Sequence, residues 1–237
     1  METKSLAEVL KAAVLAGLLA GVVAATFHYF LTEPLIDRAV EMEKRSHQSP
    51  GATHEEPVVS RSVQKLGLFL GFFLYGVAWG ILFGLLAYAI RPWLTAASGR
   101  SSFFLALLLG WSVAIFPLLK YPASPPGVGE GETIGYRQEL FLLSIALSLI
   151  GTFAALAAER SFRHVRRARA VVLVSYLIYL VVIFVALPSN PDPVKLPFEL
   201  VREFRALSLA GQLLFWTTMA GAFWWLCGRQ NHRLRSG

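Results

Sequence analysis

Gly67-Leu68-Phe69-Leu70-Gly71-Phe72-Phe73-Leu74-Tyr75-Gly76-Val77-Ala78-Trp79-Gly80-Ile81-Leu82-Phe83-Gly84-Leu85-Leu86-Ala87-Tyr88-Ala89-Ile90 contains no charged side chain. A helix needs roughly 20 consecutive apolar residues to cross a bilayer core. Five more segments share this character, so six spans are expected, at approximately 12–31, 67–90, 103–119, 140–158, 170–187 and 207–227. Pro117 and Pro188 mark the ends of the third and fifth. Hydrophobic residues make up 55% of the 237 and charged residues 16%, against roughly 25% charged in an ordinary globular domain. A water-soluble fold would lack the polar surface to cover such helices. The expected fold is all-α, a polytopic membrane helix bundle of about six transmembrane helices, in a single transmembrane domain over residues 1–237.

The net charge of +7 does not point to nucleic acid, because the basic residues are divided among short connectors. That pattern fits loops facing anionic lipid. The sharpest cluster holds Arg160, Arg163, Arg166, Arg167 and Arg169. By the positive-inside rule it lies in the cytoplasm, and with six spans so do both termini. On that topology only Glu2, Glu8 and Glu159 of the 15 acids lie inside, and Pro92 alone of the 12 prolines. The outer connectors are therefore long, acidic and proline-rich, which places any specific chemistry on the outer half. The first segment follows Lys4 and Lys11 as a signal peptide would, but its apolar run is long and small residues fill it, so it reads as a span. One cysteine, Cys227, excludes a disulfide framework. Metalloprotease, serine-hydrolase and Walker motifs are missing, so the chain reads as a non-enzyme.

Small residues recur at intervals of four: Ala13, Gly17, Gly21 and Ala25 in the first span, and Gly76, Gly80 and Gly84 in the second, with Gly67 and Gly71 before them. Such stripes let helix backbones approach closely.

An ionisable group in mid-membrane costs about 2.5–3.5 kcal/mol, so each one wants an explanation. His28 is the one well inside an apolar run, about a turn from the outer end of the first span. Glu33, Asp37 and Glu41 follow at intervals of four, and a helix through Pro34 aligns them on one face. Pro34 is tolerated best at the start of a new helix, after a break at Glu33. Imidazole with carboxylate suits divalent Co, Ni, Zn or Mn. One reading makes His28, Glu33, Asp37 and Glu41 a metal-admitting site; the other makes His28 an interfacial histidine and the acids a solvated face. Glu43, His47, His54, Glu55 and Glu56 extend the connector and would either gather cations or form a solvated loop. Soft Cu(I) chemistry is disfavoured, with only Met42 and Met219 beyond Met1. The connector running from Phe116-Pro117 through Lys120, Tyr121, Pro122, Pro125, Pro126 and Gly127 to Gly129 is stiff and irregular. It would anchor the headgroup level or frame an outer mouth, with Arg137 at the start of the next span.

Three blocks of sequence resemble the CbtA-type probable cobalt transporter subunits. They are Glu33-Pro34-Leu35-Ile36-Asp37-Arg38-Ala39, then Arg61-x-x-Gln64-x-x-Gly67-Leu68, and Lys120-Tyr121-Pro122-x-x-Pro125-Pro126-Gly127-Val128-Gly129. Thr133-Ile134-Gly135-x-Arg137 and Phe204-Arg205-x-x-Ser208-Leu209 before Gln212 and Trp216 continue the likeness. The resemblance implies a multi-pass permease subunit of the bacterial inner (cytoplasmic) membrane that imports cobalt for cobalamin synthesis. It implies a small single-span, histidine-tailed CbtB-like partner, a divalent metal ion as cargo and no resident cofactor. The family is usually described with about five spans where this chain shows six. Pro197-Phe198-Glu199-Leu200 also departs from the more apolar stretch the resemblance leads one to expect. The alternative function is a non-transporting membrane scaffold that stabilises a partner.

Overall fold

The computed structural model describes residues 5–46, 60–91, 99–126, 128–162, 164–165, 167–194 and 196–233. The elements are α1 (Leu6–Leu31), α2 (Glu33–Ser46), α3 (Arg61–Ala89), α4 (Gly99–Gly110), a π turn (Trp111–Ile115), α5 (Phe116–Lys120), a 3-10 turn (Gly131–Thr133), α6 (Ile134–Ser161), α7 (Ala168–Ala186) and α8 (Phe198–Arg233). No strand occurs among the described residues. Six helical stretches are long and apolar enough to cross a membrane: Leu6–Leu31, Arg61–Ala89, Ser101–Lys120, Gly131–Ser161, Ala168–Ala186 and Phe198–Cys227. The expected all-α membrane bundle and its six spans are both found.

Most helices outrun their apolar segments because their ends are capped or ion-paired. α1 starts at Leu6 because Ser5 and Glu8 form a capping box: the Glu8 amide donates to Ser5 Oγ at 3.3 Å, and the Ser5 amide to Glu8 Oε2 at 2.8 Å. Such a cap contributes about 1 kcal/mol. At the far end of α7, Leu187 turns extended (φ −69°, ψ 135°), as the residue before Pro188 must.

The helices fall into two compact units, one built on α1, α2, α3 and α8 and the other on the π turn, α5, α6 and α7. In the first, α1 packs along α3 and α8 through a face of small residues that includes Ala13, Gly17, Gly21 and Ala25. A Cβ on Gly17 would overlap the Gly76 carbonyl, and one on Gly76 would overlap the Gly17 carbonyl. A Cβ on Gly80 would sit 2.8 Å from the Ala13 carbonyl oxygen, and one on Gly84 2.9 Å from Ala13 Cβ. The two backbones therefore touch. Gly67 and Gly71 take no part: nothing lies within 4 Å of a Cβ added to either. The step from Gly71 to Gly76 is five residues, which turns the stripe about 140° away at 100° per residue. Between α3 and α8 the filling is aromatic. Tyr75 meets Phe215 at 4.9 Å between ring centroids, Trp79 meets Trp216 at 5.2 Å, and Phe83 meets Phe223 at 4.9 Å, all edge-on. Edge-on pairs add about 0.5–1.5 kcal/mol each beyond area burial.

The second unit centres on Phe116, Leu180, Ile183 and Leu187, with Trp111, Tyr176 and Tyr179 against them. Here the third span, expected to end at about residue 119, ends at Lys120 with Pro117 inside the helix. The π turn shifts the backbone ladder so that the Phe116 amide reaches Trp111 O, and the helix runs through Pro117 to Lys120. Extra width in the turn accommodates a residue that cannot donate. A directional hydrogen-bond chain braces it. Trp111 Nε1 donates to Tyr176 Oη (3.0 Å), Tyr176 to Thr152 Oγ1 (2.7 Å), Thr152 to Ser112 Oγ (2.7 Å), and Ser112 to Leu108 O (2.9 Å). Each hydroxyl has one acceptor for its proton, so none is orphaned in the apolar interior.

Outward faces are apolar: Leu66 is 70% exposed, Leu142 63% and Val185 76%. Lipid is the solvent that tolerates such a surface. The glycine contact predicts a contrast between two positions. Gly76→Leu should destabilise the protein by about 1–3 kcal/mol or more. Gly71→Leu should stay within about 0.5 kcal/mol. Thermal unfolding in detergent measures both.

Candidate functional site

Only Thr32 separates α1 from α2. Its amide donates to His28 O at 2.9 Å, and its carbonyl accepts from Leu35 N at 3.0 Å and Ile36 N at 3.2 Å. The new helix begins at Glu33, so the break falls one residue earlier than the sequence suggested. Pro34 occupies the second position, where no amide donor is required. Leu35 and Ala39 anchor α2 by burial, and the same helix presents Glu33 and Asp37 to the first turn of α3.

Arg61, the first residue of α3, binds both carboxylates. Its Nη2 donates to Glu33 Oε2 at 2.7 Å and to Asp37 Oδ1 at 2.7 Å, and its Nε reaches Asp37 Oδ1 at 3.0 Å. Lys65 Nζ takes the other Asp37 oxygen at 2.8 Å. Two negative and two positive charges thus cancel within one cluster. The Glu33 side chain is 7% exposed and that of Asp37 43%. Removing the partner of a buried carboxylate costs about 3–5 kcal/mol, so Glu33 depends on Arg61. Hydrogen bonding from Lys65, and then from Arg61, holds the Asp37 carboxyl below its ordinary 3.8.

The other candidates lie elsewhere. Glu41 pairs with Arg45 at 2.5 Å on the exposed face of α2. His28 Nδ1 is bonded to Thr32 Oγ1 at 2.8 Å, and its ring stacks on Phe72 at 5.2 Å. A Cβ on Gly211 would overlap the imidazole, so that glycine makes the room the ring occupies. His47, His54, Glu55 and Glu56 lie outside the described residues, as does the side chain of Glu43. Among the described residues no group of three or more His, Cys, Asp or Glu could hold a metal ion. The structure does not gather His28, Glu33, Asp37 and Glu41 into one ligand set.

The proline-rich connector is held by specific contacts. Lys120 Nζ lies 5.1 Å from the centre of the Phe184 ring. Tyr121 Oη donates to Pro188 O at 2.8 Å, tying this connector to the one after α7. Pro125 is fully buried, Pro126 is exposed, and Gly127 lies outside the described residues. Gly129 adopts φ +96°, a left-handed conformation that favours glycine. It also abuts Arg137 and Asp192, where a Cβ would overlap the guanidinium. Arg137 Nε lies 3.2 Å from Asp192 Oδ2, which accepts from Thr133 Oγ1 at 2.8 Å and from Glu130 N at 3.2 Å. Tyr121, Pro122 and Arg137 line a cavity of about 230 Å³ together with Ser124 and Asn190. Of the candidates in this region, these three converge.

Asp192 was missed by sequence reasoning. Its side chain is 3% exposed, and it anchors the arginine. The available signal was Asn190-Pro191-Asp192, a turn-forming triplet in which Asn190 Oδ1 accepts from the Asp192 amide at 3.1 Å.

Six apolar spanning helices with small-residue contacts define a multi-pass membrane protein. The chain belongs to the CbtA family, described as probable cobalt transporter subunits, whose model matches residues 6–228. No curated protein and no solved structure matches it. The family's description points to a cobalt transporter subunit, and the word subunit implies a complex.

The depressed Asp37 carboxyl gives a pH dependence. Its contribution to stability is complete above the ordinary carboxylate range and is lost as pH falls through the lower folded value. Screening at this part-exposed site limits the effect to about 1 kcal/mol. Asp37→Asn should therefore lower the melting temperature by a constant amount at neutral pH, and the difference from wild type should shrink as pH falls below the ordinary carboxylate value and vanish once folded Asp37 is protonated. Thermal unfolding across that range measures it.

Proposed function

We propose that this chain is a permease subunit that imports a divalent transition-metal ion, cobalt, across the bacterial inner membrane for cobalamin synthesis. Both termini face the cytoplasm, and the single domain works with a small single-span, histidine-tailed CbtB-like partner. The observation that carries the mechanism is a buried Glu33 beside Asp37, neutralised by cations tethered on side chains, Arg61 and Lys65. An incoming cation competes with these tethered charges for the same carboxylate oxygens. Arg61 and Lys65 stand in for the cargo when the site is empty of it, so the carboxylates are never left unpaired. His28, one turn deeper on α1, supplies the next ligand once it leaves Thr32. The partner's histidines complete a ligand set that this chain does not hold by itself. An inward-negative potential assists by about 2.3 kcal/mol per charge per 100 mV, doubled for a divalent ion.

A second reading is favoured by one observation. His28 is packed between Phe72 and Gly211 and bonded to Thr32, as in a purely structural role. On that reading the chain is a scaffold, and the partner carries the metal.

Uptake of radioactive cobalt by cells expressing the chain with its partner separates the two. Permease function predicts that Glu33→Gln lowers the initial rate about tenfold at equal protein abundance, a loss of roughly 1.4 kcal/mol. Arg61→Gln should reduce the cobalt concentration needed for half-maximal uptake. Scaffold function predicts that uptake follows the amount of protein and is otherwise indifferent to both substitutions.

A further inference from the structure

We infer that the cavity beneath the Tyr121–Ser124 connector binds a small oxyanion, a carboxylate or phosphate group, through Arg137, Asn190 and Ser124. The cavity of about 230 Å³ has the capacity for such a group and no carboxylate side chain in its lining. Its polar wall consists of donors. Arg137 is ion-paired with Asp192, its Nε 3.2 Å from Oδ2, and its side chain lines the cavity. A guanidinium edge matches the two oxygens of a carboxylate or phosphate. Asn190 turns Oδ1 to the Asp192 amide, which leaves its NH2 to donate. Ser124 contributes a hydroxyl. Tyr121 has already given its proton to Pro188 O.

A bare metal cation meets the wrong chemistry here. It would face a guanidinium and neutral groups, whereas the nearest acid, Asp192, is 3% exposed and already holds Thr133, the Glu130 amide and Arg137. Arg137 also lies in the first turn of α6, whose backbone amides add to the attraction for an anion. Glu130 and Glu132 are exposed on the preceding segment and oppose that attraction, an effect that salt screens. The stiffness of the connector follows from the same need: Gly129 brings the backbone against the Arg137–Asp192 pair, and Tyr121 pins the wall to Pro188. The site does not depend on the permease reading. It would serve a scaffold equally, as an anchor for an anionic group.

The test uses the full chain in a maltoside detergent, which carries no phosphate. Melting temperature and titration calorimetry are followed with sodium acetate, sodium citrate and inorganic phosphate, against sodium chloride at matched ionic strength. A parallel arm places the protein in nanodiscs of phosphatidylglycerol or of an uncharged glycolipid. Saturable stabilisation by acetate or citrate identifies a carboxylate. Stabilisation by inorganic phosphate identifies a free phosphate, and a shift confined to phosphatidylglycerol discs identifies a lipid headgroup; all three support the oxyanion site. Binding should weaken roughly fivefold or more in Ser124→Ala and Asn190→Ala, which break no ion pair, and further in Arg137→Lys. The inference is overturned if no oxyanion outperforms chloride, or if all three variants bind as wild type does. It is overturned equally if cobalt chloride binds here and Asn190→Ala abolishes that binding.

Discussion

Backbone contact between α1 and α3 is the constraint from which the rest of the first unit follows. Lipid tails are as apolar as leucine, so burying hydrocarbon gives two membrane helices little reason to associate. What holds them is close packing, and close packing requires side chains to be absent where the axes cross. Gly17 meets Gly76, Gly21 meets Phe72, and Ala13 meets Gly80. These pairings run antiparallel in a single register. Continued outward along the same register, Glu33 lies sixteen residues after Gly17 and Arg61 fifteen before Gly76, and the two form the buried ion pair. A carboxylate at 7% exposure thus meets its cation because the glycines fix α1 against α3, and Glu33 opens α2 after a single residue, Thr32, past the end of α1.

The two units solve the same problem with different materials. The first uses glycine on one side of α3 and a ladder of aromatic pairs on the other. In the second, Gly151 makes room for the Tyr179 ring rather than for a neighbouring backbone, and hydroxyls carry the polar contacts. Ser112, Thr152 and Tyr176 pass hydrogen bonds in one direction around a π turn, which lets Pro117 sit inside a span without stranding a polar group. A polar chain of this kind specifies one arrangement of its helices because any other leaves a proton unshared.

How much of this was legible depended on whether the signal was local. Span count came from apolar runs such as Gly67–Ile90, whose length alone decides the matter. The break near Pro34 came from the missing amide of proline. The glycine stripe was visible, but its true extent was not: Gly67 and Gly71 looked like members until the five-residue step to Gly76 was placed on a helix with a real neighbour. Glu33 and Asp37 were visible together as one helix face, but Arg61 stood apart from them, since a pair 28 residues apart leaves no periodic trace. Asp192 was hidden for the same reason, lying 55 residues from the arginine it holds. The π turn has no compositional mark, and only Ser144, Ser148 and Thr152 at intervals of four hinted at a polar face inside the sixth helix, α6.

Cross-linking α1 to α3 in native membranes probes the glycine register most directly. In a Cys227→Ser background, Ala13→Cys is combined with Gly84→Cys, whose Cβ atoms would lie 2.9 Å apart, so that the helices need to ease apart by only about 0.6 Å to reach the roughly 3.5–4.5 Å a disulfide spans. Mild oxidation should close that pair in nearly every molecule, read as loss of maleimide labelling, while Ala13→Cys with Gly71→Cys stays open. Failure of the first pair to close, or equal closure of both, would contradict the alignment on which the Glu33–Arg61 site rests.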